Sequence, residues 1–268
     1  MLTPILNNFE TFFFVFIRVM AIFVMIPFIG SRTVPMQVKL GLGVVMALLI
    51  TPTITETVHM PATVLGVSFL VFKELLIGFV LGIVANFVFT AFEMAGQLAG
   101  IQMGFSVANV IDPQSGAQLS IVAQFYNIVG IFLFFALNTH LVFISGIKES
   151  FELIGPYSFG LTEGLFDGVL AMSSDMFVVA LKLAAPISVA ILLANLAMGV
   201  LARTVPQLNI FVIGFPVTIT LGLIILGVSL PFLVSSMSGV FVDLGNNVMD
   251  LIRNAATTGP ATVVPVPR

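Results

Sequence analysis

Charged side chains inside long apolar runs are the residues of this sequence best suited to chemistry. Such a charge costs roughly 3 kcal/mol at the centre of a bilayer, so it usually faces protein or a water-filled cavity. There it could bind a substrate or a proton, as in a secondary transporter, or contact a neighbouring subunit. Five residues of this kind lie within apolar blocks: Arg18, Lys73, Glu74, Glu93 and Lys182.

The spacing of these charges limits how they interact with one another. Lys73 and Glu74 are adjacent, so on a helix they point about 100° apart and cannot form a tight mutual pair. Each is expected to find a separate partner or to reach an interface, unless one contacts a neighbouring subunit. Glu93 precedes small residues at helical spacing, Gly96 and Gly100, which let another helix approach closely. Helix contact explains that stripe, and a specific role for Glu93 stays open.

Signatures of catalysis are missing from the sequence. It contains no G-x-x-x-x-G-K-[ST] loop, no H-E-x-x-H pair and no G-x-S-x-G elbow. Glu93 and Asp112 are about twenty residues apart on different elements and do not form an acid–base pair. Without cysteine, thiol catalysis and thiolate metal sites are excluded, and only His59 and His140 offer imidazole. We therefore predict a protein without catalytic, metal or cofactor sites.

The composition is that of an integral membrane protein. Of the 268 residues, 59% are hydrophobic and 8% are charged, whereas a soluble domain carries roughly a quarter charged residues. The net charge of -3 gives no reason to expect a nucleic-acid partner. The first residues include Glu10 but no basic region or small-residue cleavage site, which predicts a retained first helix.

Hydropathy divides the chain into six apolar blocks, which predict an all-α fold. The second block spans roughly 17 Å as a helix and the third about 60 Å, against about 30 Å of hydrocarbon. We infer a component whose apolar surface is largely covered by other subunits, although monomeric transporters also contain broken helices. The blocks are about 12–28, 40–50, 64–103, 119–147, 176–201 and 210–242. Breaks are expected at Pro27, Gly78, Gly82, Pro186, Gly199, Pro216, Gly222 and Pro231.

Two connecting segments are unusual. The first, 104–118, is bounded by glycine and turns at Asp112-Pro113, yet it contains apolar side chains that a solvated connector would avoid. It is either a simple connection or a pore-lining, re-entrant loop. The second, 202–216, predicts a helical hairpin, because Pro206 prevents a continuous helix and Arg203 opposes the dipole of the preceding helix. Its turn residues are Pro206, Gln207, Asn209 and, at its end, Pro216. Its plainest interpretation is a capped connection.

Four stretches carry a family resemblance. They are PFIGSRTVPMQVKLGLG (27–43), GQLAGIQMGFSVANVIDPQSG (96–116), NTHL (138–141) and VPQLNIFVIGFP (205–216). In this order they resemble the FliR/SctT family of the flagellar type III secretion export gate, and the resemblance covers roughly residues 10–245.

The resemblance implies an architecture and a set of partners. Residues 1–165 would form a FliP-like helical region and 174–250 a FliQ-like helical hairpin. Residues 251–268 match no part of the family pattern and are expected to form a disordered tail. One copy would join FliP and FliQ in a helical pore complex, beside FlhB and membrane lipid. The complex would lie in the inner membrane within the flagellar basal body, partly raised to the periplasmic side. Arg18, Lys73, Glu74, Glu93, Lys182 and Arg203 would then be subunit-contact or buried polar residues.

The resemblance also implies a function for the first connecting segment. In the family, the matching loop projects into a central channel as a plug, and unfolded flagellar subunits are the cargo. The plug residues would be Gly104, Phe105, Ser106, Val107, Val110, Ile111, Asp112, Pro113 and Gly116. The expected function is therefore that of a non-enzymatic, channel-forming subunit for protein export. The alternative is a stand-alone secondary transporter that uses Lys73, Glu93 or Lys182.

Overall fold

A computed structural model describes most of the chain, namely residues 9–31, 33–54, 60–105, 120–154, 163–205, 207 and 209–256. Within these ranges the chain forms α-helices and one short 3₁₀ turn, Thr51–Thr53, and no strand. The all-α prediction is confirmed. The helices are α1 Phe9–Met25, α2 Pro27–Gly30, α3 Met36–Ile50, α4 Val64–Met103, α5 Ile121–Ala136, α6 Thr139–Leu153, α7 Glu163–Thr204 and α8 Ile210–Ala256.

Several of these helices are long and apolar enough to cross a membrane. Four segments of the described chain qualify by length and composition: Met36–Thr53, Val64–Met103, Glu163–Thr204 and Val212–Ile252. Helices α5 and α6 qualify only as a pair, because with 16 and 15 residues each is too short alone, and they are bent by 68° at the break between them. An integral membrane protein with four such spans, or five with the bent pair, agrees with the composition.

The block predicted at 119–147 is two helices rather than one. Helix α5 ends at Ala136, and Asn138 then adopts a left-handed backbone with φ 55° before α6 begins at Thr139. Asparagine tolerates this conformation better than most residues, and an α-helix cannot continue through it. The bend therefore follows from one residue that the apolar pattern conceals.

The predicted breaks at glycine and proline are mostly wrong. Pro27 does separate α1 from α2. The other seven positions lie inside α4, α7 and α8, which continue through them. A proline removes one helical hydrogen bond, but the many others in a helix of more than 40 residues remain, and no other backbone pairing is open to it in an apolar medium.

The described chain divides into two compact units. The first contains residues 9–87, 138–173 and 243–256, and the second contains 88–137 and 174–242. In the first unit, α1 packs against α3 and against the N-terminal half of α4. The second unit has an aromatic core, whose ring centroids lie between 5.4 and 6.3 Å apart. Its rings are Phe89, Phe92, Phe134 and Phe241.

Candidate functional site

A fully buried ion pair joins α1 to α4 in the first unit. The Arg18 Nε donates to Glu74 Oε2 at 2.6 Å, and Nη2 donates to Oε1 at 3.0 Å. Both side chains have no exposed surface. This fork-to-fork arrangement holds both groups in one orientation, which a single contact would not do. Two of the charges singled out in the sequence are thus each other's partner.

The remaining Arg18 donors bind the end of α6. Its Nη1 donates to the carbonyl and the hydroxyl of Ser150, at 2.9 and 3.1 Å, and Nη2 donates to the Ile154 carbonyl at 3.4 Å. The centroid of the Phe151 ring lies 3.7 Å from Arg18 Cζ, in cation–π geometry. The Ser150 carbonyl also accepts from the Ile154 N–H at 3.1 Å, and carbonyls at a helix C-terminus carry partial negative charge. All five guanidinium hydrogens therefore have an acceptor, and α1, α4 and α6 meet at one buried centre.

Glycines on α4 allow this centre to form. A Cβ at Gly78 would lie 2.6 Å from both the Ala21 Cβ and the Arg18 carbonyl oxygen, so only glycine permits α1 to come so near. About two turns further along α4, Asn86 Nδ2 donates at 2.7 Å to the carbonyl of Met25, the last residue of α1. Since residues four apart share a helix face, one stripe of α4 is committed to α1. It consists of Glu74, Gly78, Gly82 and Asn86.

A second polar arrangement lies in the other unit, where α4 ends before the first connecting segment. Gly104 has φ 96°, and its N–H donates to the Ile101 carbonyl at 3.1 Å. The Phe105 N–H donates to the Gly100 carbonyl at 3.0 Å. Together these bonds form a Schellman motif, which stops a helix and satisfies its last carbonyls. Gly104 therefore fixes the direction in which the chain leaves α4.

The chain returns at Ser120, which is tied to α4 as well as to α5. The Ser120 Oγ accepts from the Ala123 N–H at 3.1 Å as the N-cap of α5 and donates to the Gly96 carbonyl at 3.2 Å. Its own N–H donates to Gln97 Oε1 at 3.0 Å. The small-residue stripe of α4 makes this possible, because Gly96 contacts Ala123 with no room for a side chain. Both ends of the segment 106–119 are thus anchored to the last two turns of α4.

Helix α8 contacts the same end of α4. The buried Thr218 hydroxyl is shared between the carbonyls of Met103, at 3.1 Å, and Phe215, at 3.2 Å. A Cβ at Gly222 would lie 2.6 Å from Met103 Cγ, and one at Gly104 would lie 2.8 Å from Phe215 Cδ1. Met103, the last residue of α4, therefore packs closely against Thr218 and Gly222 of α8.

The other predicted polar residues are scattered over the described surface. Lys73 is half-buried with Nζ 5.0 Å from the Phe69 ring centroid, and Glu93 is also half-buried. Lys182 and Arg203 are exposed. In the described ranges no cluster of three His, Asp or Glu side chains could hold a metal ion.

The predicted loop residues divide between described and undescribed parts of the chain. Gly104 and Phe105 are half-buried at the start of the first segment, and Gln207, Asn209 and Pro216 are exposed. The Asn209 carbonyl accepts from the Val212 and Ile213 N–H groups, so it begins α8. The remaining predicted residues lie outside the described residues, and they are Ser106, Val107, Val110, Ile111, Asp112, Pro113, Gly116 and Pro206.

Sequence reasoning missed the residues that complete both arrangements. Ser120 had a readable signal, since serine before an apolar helical run is a typical N-cap. Ser150, Phe151, Thr218 and Gln97 gave none, because their roles depend on elements distant in the sequence.

Comparison with known proteins gives consistent matches. The family described as "Bacterial export proteins, family 1" matches residues 9–244. The flagellar biosynthetic protein FliR of Bacillus subtilis is 36% identical over 252 residues, which cover 91% of this chain and 93% of that protein. FliR of Pectobacterium carotovorum is 34% identical, with 94% and 96% covered. FliR of Escherichia coli is 32% identical, with 90% and 92% covered.

Proposed function

The chain belongs to the family of bacterial export proteins, family 1, and we propose that it is a channel-forming subunit of the flagellar type III protein export gate. The resemblance read from four sequence stretches is confirmed by the family match and by relatives named FliR. The chain is a membrane component for flagellar export, and its role is structural rather than enzymatic. Under this proposal, unfolded flagellar proteins cross the inner membrane through the assembly.

The exposed apolar surface of α7 and α8 supports the proposal that the chain is part of a larger assembly. Only 28% and 17% of their most apolar windows are buried, against 56% for α4. Each helix has more than 40 residues, or about 60 Å, which is twice the hydrocarbon thickness. Lipid alone cannot cover such lengths, so other subunits are the natural cover. We assign this role to FliP and FliQ, with FlhB as a further neighbour.

Two regions would provide these contacts. Residues 1–165 would act as the FliP-like region, and 174–250, with α7 and α8, as the FliQ-like hairpin. Within this scheme the buried Arg18–Glu74 centre holds the FliP-like helices together, while exposed Lys182 and Arg203 are available to neighbouring subunits. The assembly would lie in the flagellar basal body, partly raised towards the periplasm.

The segment 104–118 would act as the plug of the channel. The observation that carries this assignment is that described residues anchor both of its ends to the last turns of α4. Its apolar residues suit a dry constriction, because hydrophobic constrictions close by excluding water. They are Phe105, Val107, Val110 and Ile111.

Ion leak tests the plug directly. Residues 106–115 are deleted, and the conductance of the purified assembly is measured in planar bilayers. We expect a steady ion conductance in the deletion assembly and a closed level in the unaltered one. Removing ten residues beyond the family match, 257–266, is the matched control and should leave the closed level intact. Closed-level conductance in the 106–115 deletion would refute the plug assignment.

The stand-alone transporter is the less favoured function. Arg18 and Glu74 bind each other, and Arg18 also binds the end of α6, so neither is available as a substrate ligand. Lys73, Glu93 and Lys182 are the remaining candidates, and no described arrangement gathers them into one site. A transporter of this kind would be stable as a monomer or dimer, whereas an export-gate subunit would purify with its partners.

A further inference from the structure

The contact between α4 and α5 in the second unit shows which side chains of the two helices lie opposite each other. Gly96 contacts Ala123 and Phe92 contacts Gly130, so the two helices run antiparallel here. Asn127 lies between Ala123 and Gly130 at helical spacing and therefore belongs to the side of α5 that faces α4. The α4 residues at its level are those next to Phe92.

Glu93, the residue after Phe92, brings a carboxylate to this level. It shares a helix face with Gln97, four residues further along α4. Gln97 Oε1 accepts from the Ser120 N–H at 3.0 Å, which places this face of α4 beside the first turn of α5. Glu93 and Asn127 thus line the same side of the α4–α5 contact, and the two are called here the acceptor pair.

The acceptor pair has no donor among the residues that the structure describes. Asn127 Oδ1 is buried and accepts no hydrogen bond from them. Glu93 is half-buried and forms neither an ion pair nor a hydrogen bond with them. A buried acceptor without a donor is unfavourable, and so is a charge inside an apolar helix without a counterion. Both groups therefore favour a donor that the described chain does not supply.

The Arg18–Glu74 centre shows which donor suits such a pair. There one guanidinium binds a carboxylate and, beside it, the carbonyl oxygen of Ser150. The acceptor pair presents the same two kinds of acceptor, a carboxylate and an amide oxygen. A cationic side chain carries several N–H groups and satisfies both together, whereas a neutral hydroxyl would leave the charge of Glu93 uncompensated.

The surroundings of the acceptor pair suit contact with another protein helix. Gln124, one turn before Asn127, is exposed, and the apolar residues around it are open as well. Ile121 is 68% exposed and Ile128 53% on α5, and Ile101 is 51% exposed on α4. Lipid tails would cover these apolar residues but bring no donor to the charge at their centre. A helix with one cationic side chain supplies both.

We propose that the acceptor pair binds a lysine or arginine side chain of a neighbouring subunit, so that this side of α4 and α5 is a subunit contact. This inference rests on the proposed function, which places the chain inside an assembly. It adds a contact on α4 and α5 to those assigned to α7 and α8. Because Glu93 gains its counterion only when the subunits meet, the pair selects a neighbour and does not hold its own chain together.

Glu93→Gln tests this role, since it removes the charge with almost no change of shape. In cells that also produce FliP and FliQ, we expect the ratio of co-purified neighbours to this chain to fall about tenfold, because a charged hydrogen bond is lost. Glu93→Lys should lower the ratio further through repulsion. The amount of this chain in the membrane should stay unchanged in both variants.

Glu152→Gln is the matched control. Glu152 is 47% exposed and pairs with Lys148 of its own chain, so its loss should not change the ratio. An unchanged ratio in Glu93→Gln would overturn the proposal. So would a parallel fall in the amount of this chain in the membrane, because Glu93 would then stabilise its own fold.

A cross-link identifies what lies against the acceptor pair. The chain contains no cysteine, so Gln124→Cys provides a single site for a benzophenone maleimide. After irradiation of the intact complex, mass spectrometry should place the link on a peptide of a neighbouring subunit that contains lysine or arginine. Replacing that cation by glutamate should restore assembly of the Glu93→Lys variant. Links confined to lipid or to this chain, or the absence of any neighbouring cation whose exchange restores assembly, would overturn the proposal.

The outcomes separate this inference from the proposed function itself. If the unaltered chain purifies without neighbours, the proposed function fails. If the unaltered chain brings its neighbours and Glu93→Gln brings them in the same ratio, only the contact at the acceptor pair fails.

Discussion

At the scale of single residues, the Arg18–Glu74 pair is a structural centre. Its two charges lie 56 residues apart in the sequence, on α1 and α4, and the Arg18 guanidinium also binds the end of α6. Such a pair adds little to stability compared with a well-packed apolar pair, because both ions lose their hydration. Removing only one partner is strongly destabilising, because it leaves the other charge buried without a counterion. The pair therefore specifies which helices meet.

A double-mutant cycle measures this role. Glu74→Leu alone should destabilise the protein by about 3–5 kcal/mol, because Arg18 stays buried without its counterion. Arg18→Met combined with Glu74→Leu should lose much less, since no charge is left behind. Thermal unfolding of the purified complex provides the comparison. Ser150→Ala is the control and should cost only about 1 kcal/mol, because the Ser150 carbonyl remains as an acceptor. Additive losses in the cycle would contradict this account.

At the scale of elements, the sequence predicts α4 well, but it misses the start of α7 and the end of α8 and predicts the junctions poorly. The block 64–103 coincides with α4 because its apolar residues continue without a turn signal. The bend at Asn138 escapes prediction, since one left-handed residue leaves no apolar pattern. The expected breaks at Pro216 and Pro231 are wrong because neighbouring hydrogen bonds hold α8 together. The sequence singles out Arg18 and Glu74, because a charge inside an apolar block is costly unless it has a partner. Only the tertiary structure shows that they are each other's partner.

The contact of α1 with α4 makes its own prediction. Gly78→Ala places a Cβ against backbone and should cost about 1–3 kcal/mol, because neither helix can yield locally. Gly239→Ala in α8 is the matched control, since its Cβ would meet open space. There alanine should leave stability unchanged or raise it by up to about 1 kcal/mol, as helix propensity favours it. Thermal unfolding of both variants provides the check, and equal effects would rule out close helix contact at Gly78.

At the scale of the whole molecule, the main feature is the large apolar surface that α7 and α8 leave exposed. Large apolar residues such as Leu193 and Val228 are 61% and 75% exposed on α7 and α8. Their density along helices longer than a bilayer indicates protein partners as well as lipid. Family membership is consistent with this, because the relatives named FliR match along nearly the whole chain. The protein is thus best understood as one part of a larger export assembly.

Native mass spectrometry of the complex purified through this chain tests that claim most directly. We expect one copy of the chain bound to several FliP and FliQ subunits after extraction in mild detergent. The apolar faces of α7 and α8 would be covered in that particle. A folded, stable monomer or dimer of this chain, obtained from cells that also produce FliP and FliQ, would contradict the account.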